Sequence, residues 1–143
     1  MDRVNLTEPQ RRHLRASLTS FEKGLRFADR LLEDGDEIGI LYYRRLYLDF
    51  DQRRLAHEKI SQALHELADL VKQLGLEPVE ESADRIILSE MNVSWANLVD
   101  CHSDRMIGYG KVDTDAAKKI DPAIDRLERI ALELSDLMLS DSS

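Results

Sequence analysis

One cysteine among 143 residues excludes any disulfide within the chain, so the fold has to rest on packing and hydrogen bonds. Three prolines and six glycines leave little material for hairpins and tight turns, which favours helices. No apolar run approaches the roughly 18 residues that cross a bilayer, and the opening MDRVNLTEPQ lacks the apolar centre of a secretion signal. The expectation from these absences is a protein of a reducing cytoplasm with no membrane contact. Basic residues are also short, at a formal charge of -8. Residues 1–74 carry 13 basic and 13 acidic side chains, and residues 75–143 carry 7 and 15, so the whole excess lies in the second half. Neutralising phosphates takes a surplus of Lys and Arg, and nucleic-acid binding is therefore not expected.

Chemical signatures are missing as well. There is no nucleophile elbow, no glycine-rich phosphate loop and no Glu-x-x-His of the kind that builds carboxylate-bridged metal pairs. EDGDE, residues 33–37, lacks the oxygen spacing and terminal Glu of a calcium loop and reads as helix caps in a turn. Cys101 and His102 are adjacent, but successive residues on a helix point about 100° apart, which argues against a thiol–imidazole pair. The reading is non-enzymatic.

What is present is helical periodicity in a chain of a length suited to one domain. Thr7-Glu8-Pro9-Gln10 has the form of a capping box, and Leu14, Leu18, Phe21, Leu25, Ala28 and Leu32 follow at alternating spacings of four and three. This predicts a first helix over 7–33, ended by Gly35. A second, long helix is expected over 37–74, stopped at Gly75, with Leu46, Arg53, Ile60, Leu67 and Leu74 in one core series and Tyr43, Phe50, His57, Leu64 and Val71 in another. A third over 82–109 has Ser82 as its N-cap and Leu88, Met91, Trp95, Leu98, His102, Arg105 and Tyr109 as its stripe. A fourth over 114–139 shows Ile120, Ile124, Leu127, Ala131, Leu134 and Met138, followed by a frayed tail over 140–143. Pro122 removes a backbone hydrogen bond, so the fourth helix either kinks there or starts late with Asp121 as cap. Short connections make sequential helices antiparallel neighbours, and the predicted fold is an all-α, up-down-up-down four-helix bundle.

Two places invite a function. The first half of the expected second helix is apolar on every side, and a helix of that kind needs covering on every side. Ile40, Leu41, Tyr43, Tyr47, Leu48 and Phe50 therefore form a candidate interface, best suited to a protein partner and in the first instance a second copy. The plainer reading leaves the tyrosine hydroxyls in water and the leucines under a loop.

The second place is a polar layer. With each turn taken as a mirror, His57 stands level with Leu14 and Cys101, and His102 stands level with Asp121. That places His13, His57 and His102 near one height, with Asp121 as a fourth member and Arg53 and Arg105 about a turn away. Histidine with carboxylate suits zinc, iron or copper, and an arginine beside histidine suits an anionic ligand. The structural alternative is a buried polar layer that fixes helix register, with arginines paired to acids such as Asp49, Glu90 or Asp100 or reaching water along their stems. A third reading takes the acidic second half as a surface that neutralises a basic or nucleic-acid-binding partner.

Overall fold

The computed structural model describes residues 4–140. It is all-α in class, with four long helices and one small strand pair, as the four periodic segments imply. None of the helices among the described residues is long and apolar enough to cross a membrane. The chain divides between Val79 and Glu80 into two compact units.

In the first unit, α1 (Glu8–Asp34) opens on the expected capping box. Thr7 Oγ1 accepts from the Gln10 N–H at 3.2 Å, and Gln10 Oε1 accepts from the Thr7 N–H at 2.9 Å. Gly35 ends the helix at positive φ, and its N–H reaches the Leu31 carbonyl. The expected second helix over 37–74 is corrected here, because its first third is extended. β1 (Glu37–Ile38) pairs antiparallel with β2 (Tyr43–Arg44), with Glu37 opposite Arg44 and Ile38 opposite Tyr43. The Gly39 N–H closes the loop on the Tyr42 carbonyl at 2.8 Å.

Helix α2 (Phe50–Leu74) begins thirteen residues later than the periodicity predicts. Its N-cap, Asp49, accepts from the Gln52 N–H at 2.8 Å, while Gln52 Oε1 accepts from the Asp49 N–H at 3.0 Å. Asp49 is thus a cap and not the partner of a buried arginine. At the other end Gly75 is left-handed, and the Leu76 N–H reaches back to the Val71 carbonyl, a Schellman ending with Leu76 buried beneath it. α1 and α2 are antiparallel and packed together, with Ile60, Leu67 and Leu76 the most deeply buried apolar side chains of this unit among the described residues.

In the second unit, α3 (Ala83–Val99) starts at the expected Ser82, whose Oγ accepts from the Arg85 N–H at 3.3 Å. It ends ten residues short of the prediction. Two single-turn 3-10 segments, Ser103–Arg105 and Ile107–Tyr109, replace its last turns. α4 (Thr114–Ser140) then runs back against α3. Pro122 lies inside it, so the late start at Asp121 is not adopted, and the helix continues without the bond that the missing N–H would have made. Ser140, expected in the frayed tail, ends this helix, and the rest of that tail lies outside the described residues. Among the described residues Ala131 and Ser135, one turn apart, are the buried side chains of α4, and Ser135 Oγ donates to the Ala131 carbonyl at 3.1 Å.

Candidate functional site

The extended segment after Gly35 exists because its residues suit a pleated surface. Ile38, Ile40, Tyr42, Tyr43 and Tyr47 are β-branched or aromatic, and Gly39 lets the chain turn where a side chain has no room. A Cβ on Gly39 would stand 2.8 Å from the Tyr42 ring. The hairpin is fastened by polar contacts around Glu37. Arg44 Nη1 donates to Glu37 Oε2 at 2.8 Å, and the same guanidinium lies 5.3 Å from the Tyr42 ring centroid. Asp36 Oδ1 accepts from the Leu46 N–H at 2.9 Å and draws the return strand towards the end of α1. The apolar side chains project from this frame. Ile40 is 101% exposed and Leu41 97%, while Tyr43, Tyr47 and Phe50 are exposed as well and Leu48 less so.

The hairpin also resets the helix register that the histidine layer assumed. His57 Nδ1 is 2.7 Å from Asp29 Oδ1, and Arg11 Nη1 donates to the Leu74 carbonyl at 3.1 Å. Both pairs mirror about Tyr43 and not about Gly35. His57 is thereby placed beside Asp29, about 24 Å along α1 from His13. Arg53 lies with its Nη1 3.7 Å from the position a Gly35 Cβ would take, at the negative end of the α1 dipole. His13, His57 and Arg53 form no common site within this unit.

In the second unit the predicted pairing of His102 with Asp121 is present, although His102 is no longer helical. Its backbone is extended just past α3. The next residue, Ser103, donates its N–H to Asp121 Oδ1 at 2.8 Å and its hydroxyl to Asp121 Oδ2 at 2.7 Å. A carboxylate from α4 therefore takes the donor that a continuing α3 would have used, which explains the early end of that helix. The imidazole is turned onto α4. Nδ1 is 3.7 Å from Asp121 Oδ1, and Nε2 is 3.0 Å from Glu128 Oε1 and 3.4 Å from Asp125 Oδ1. Asp121, Asp125 and Glu128 follow one another at helical spacings of four and three, so one face of α4 presents all three.

Both ring nitrogens thus face acceptors, which suits an imidazolium. Burial opposes its protonation, but the hydrogen bond to Glu128 and the charges of Glu128, Asp125 and Asp121 outweigh burial and hold His102 above the ordinary histidine value. The hydroxyl and backbone hydrogen bonds from Ser103 hold Asp121 below the ordinary carboxylate range against its burial, aided by His102. Among the described residues no Lys or Arg stands within ion-pairing distance of these three carboxylates. Arg105 is exposed in the first 3-10 turn and takes no part. Asp125 and Glu128 were missed by sequence reading, which looked for level partners and overlooked the i, i+4, i+7 acidic face beginning at Asp121.

Cys101 is exposed and its thiol meets the Asn97 carbonyl at 3.4 Å, while the imidazole next to it points to α4. The two do not form a catalytic pair. Tyr109, expected in the packed stripe of the third helix, is almost fully exposed. No family model matches the chain, and no curated protein or solved structure is significantly similar to it.

Proposed function

We propose that this chain is a non-catalytic protein-interaction module that joins a second copy of itself through the hairpin between α1 and α2. The observation that carries this reading is the exposure of Ile40 and Leu41 at the tip, flanked by exposed Tyr43, Tyr47 and Phe50. Single exposed apolar residues are ordinary, but a cluster on one projecting element is a contact surface. The strand pair adds a second argument. A lone two-stranded hairpin is marginal in water, and both its edges offer backbone groups for pairing. A second identical hairpin supplies an edge and an apolar face of matching size about a two-fold axis. Charge does not oppose this, because residues 36–54 carry four acids, Asp36, Glu37, Asp49 and Asp51, and four bases, Arg44, Arg45, Arg53 and Arg54.

Sedimentation equilibrium on the full chain tests the proposal. The expected mass is twice that of one chain, and Leu41→Asp or Tyr43→Asp shifts it to the single-chain value with helix content unchanged. A wild-type chain that sediments as a monomer at every concentration, or a dimer indifferent to both substitutions, rules the reading out.

A further inference from the structure

We infer that His102, Asp125 and Glu128 form a binding site for a first-row divalent metal ion, of which zinc is the best suited. One donor atom from each of the three lies within 4.8 Å of the others. The two separations from His102 Nε2, 3.0 Å to Glu128 and 3.4 Å to Asp125, bracket the roughly 3.3 Å between ligands in a tetrahedron with zinc bonds of about 2.0–2.1 Å. The Asp125 and Glu128 oxygens also lie within 4.8 Å of one another, so a cation between them has all three donors within reach once the side chains draw in around it. One imidazole nitrogen and two carboxylate oxygens suit zinc better than the all-oxygen shells of calcium or magnesium.

Three features distinguish this cluster from an ordinary acidic surface. First, the imidazole has a carboxylate behind it. Asp121, itself held by both donors of Ser103, stands 3.7 Å from Nδ1, and a small closing of that gap would let it accept the Nδ1 proton and leave Nε2 to ligate. Second, the charge is unbalanced. Three carboxylates share one imidazole among the described residues, and a divalent ion offsets the remainder. Third, the donors are partly withdrawn from water, with the His102 and Glu128 side chains 21% and 16% exposed. Asp125 is open to solvent, which leaves a path of entry and a free coordination position. Asp121 is a positioning residue here and not a ligand.

Calorimetric titration of the chelator-stripped full chain with zinc chloride tests this. One zinc ion per chain is expected. Glu128→Gln, which keeps the side-chain shape, and His102→Ala each weaken binding by roughly tenfold or more, and Asp121→Asn weakens it by roughly 10–100-fold with the stoichiometry kept. His57→Ala, which removes the other imidazole–carboxylate pair, leaves it unchanged. Nitrogen-15 spectra of the imidazoles give a direct readout, in which zinc moves the Nε2 resonance of His102. Zinc affinity unaltered in Glu128→Gln, or a His102 resonance indifferent to millimolar zinc, overturns the assignment. Neither readout depends on whether the hairpin joins two copies.

Discussion

Asp121 holds the second unit's turn through one carboxylate with three neighbours: the Ser103 backbone, the Ser103 hydroxyl and the His102 imidazole. The two ionisations pull stability in opposite directions along the pH scale. His102 titrates above its ordinary value in the fold, so its stabilisation is complete below the unfolded-state value and is lost as pH rises through the raised one. Asp121 titrates below its ordinary value, so its contribution is present above the unfolded-state value and is lost as pH falls through the lowered one. Urea denaturation of metal-free protein from neutral to alkaline pH is expected to show a stability decline that His102→Ala abolishes. An imidazole titration followed by NMR should place His102 above the ordinary histidine value, and Glu128→Gln should bring it down. Of this arrangement the proximity of His102 to Asp121 was legible, because the two stand at nearly equal distances in sequence from Lys111 and Val112, although two 3-10 turns, and not the last turns of a helix, lead the chain from α3 to α4. Asp125 and Glu128 were present in the same spacing but gave no signal until the direction of the ring was known.

At the scale of the element, the decisive feature is where α2 begins. Asp49-Phe50-Asp51-Gln52 is the same kind of capping box as Thr7-Glu8-Pro9-Gln10, and its signature stands in the sequence. It was masked by the heptad spacing of Tyr43, Leu46, Phe50 and Arg53, which continues the α2 register backwards across the cap. Residues at a period of seven fall on one side of a helix only if the backbone between them is helical, and here it is not. Asp49→Ala is expected to destabilise the chain by about 1 kcal/mol, read as a lower urea midpoint at unchanged m-value. Gly39→Ala is expected to displace the half-exposed Tyr42 ring, and with it the ring's contact with the Arg44 guanidinium, because the added Cβ would stand 2.8 Å from the ring. Loss of NOE contacts between the Tyr42 ring and the Arg44 side chain is the corresponding observation. Packing between elements is set by small residues in the second unit, where Ala131 and Ser135 line the buried face of α4. Ala131→Leu is expected to cost about 1–3 kcal/mol through overpacking, measured in the same denaturation experiment.

For the whole molecule, the notable quantity is how little apolar surface is fully covered. Four apolar residues, Ile60, Leu67, Leu76 and Ala131, are buried among the described residues, while long side chains on every element are exposed, including Phe21, Leu55, Ile86 and Leu127. Association that covers such surface stabilises the folded state by mass action. The melting temperature is therefore expected to rise with chain concentration in the wild type and to lose that dependence in Leu41→Asp. Differential scanning calorimetry over a wide concentration range checks it, and a flat wild-type response counts against self-association.

What the sequence determined by itself is the helical class, the number of long helices, their caps at Thr7 and Ser82 and their stops at Gly35 and Gly75. All of these are local, since a cap or a periodic stripe is encoded within a few residues of itself. Only the tertiary structure decided three further matters. It fixed the register of α1 on α2, because a hairpin of extended chain moved the mirror point from Gly35 to Tyr43. It ended α3 at Val99, because a carboxylate eighteen residues after Ser103 captured the donor that the helix needed. It turned His102 towards Asp125 and Glu128, because that ending placed the imidazole in a turn facing α4. Each of these is a competition between a local backbone preference and a partner distant in sequence, and only the fold settles which one wins.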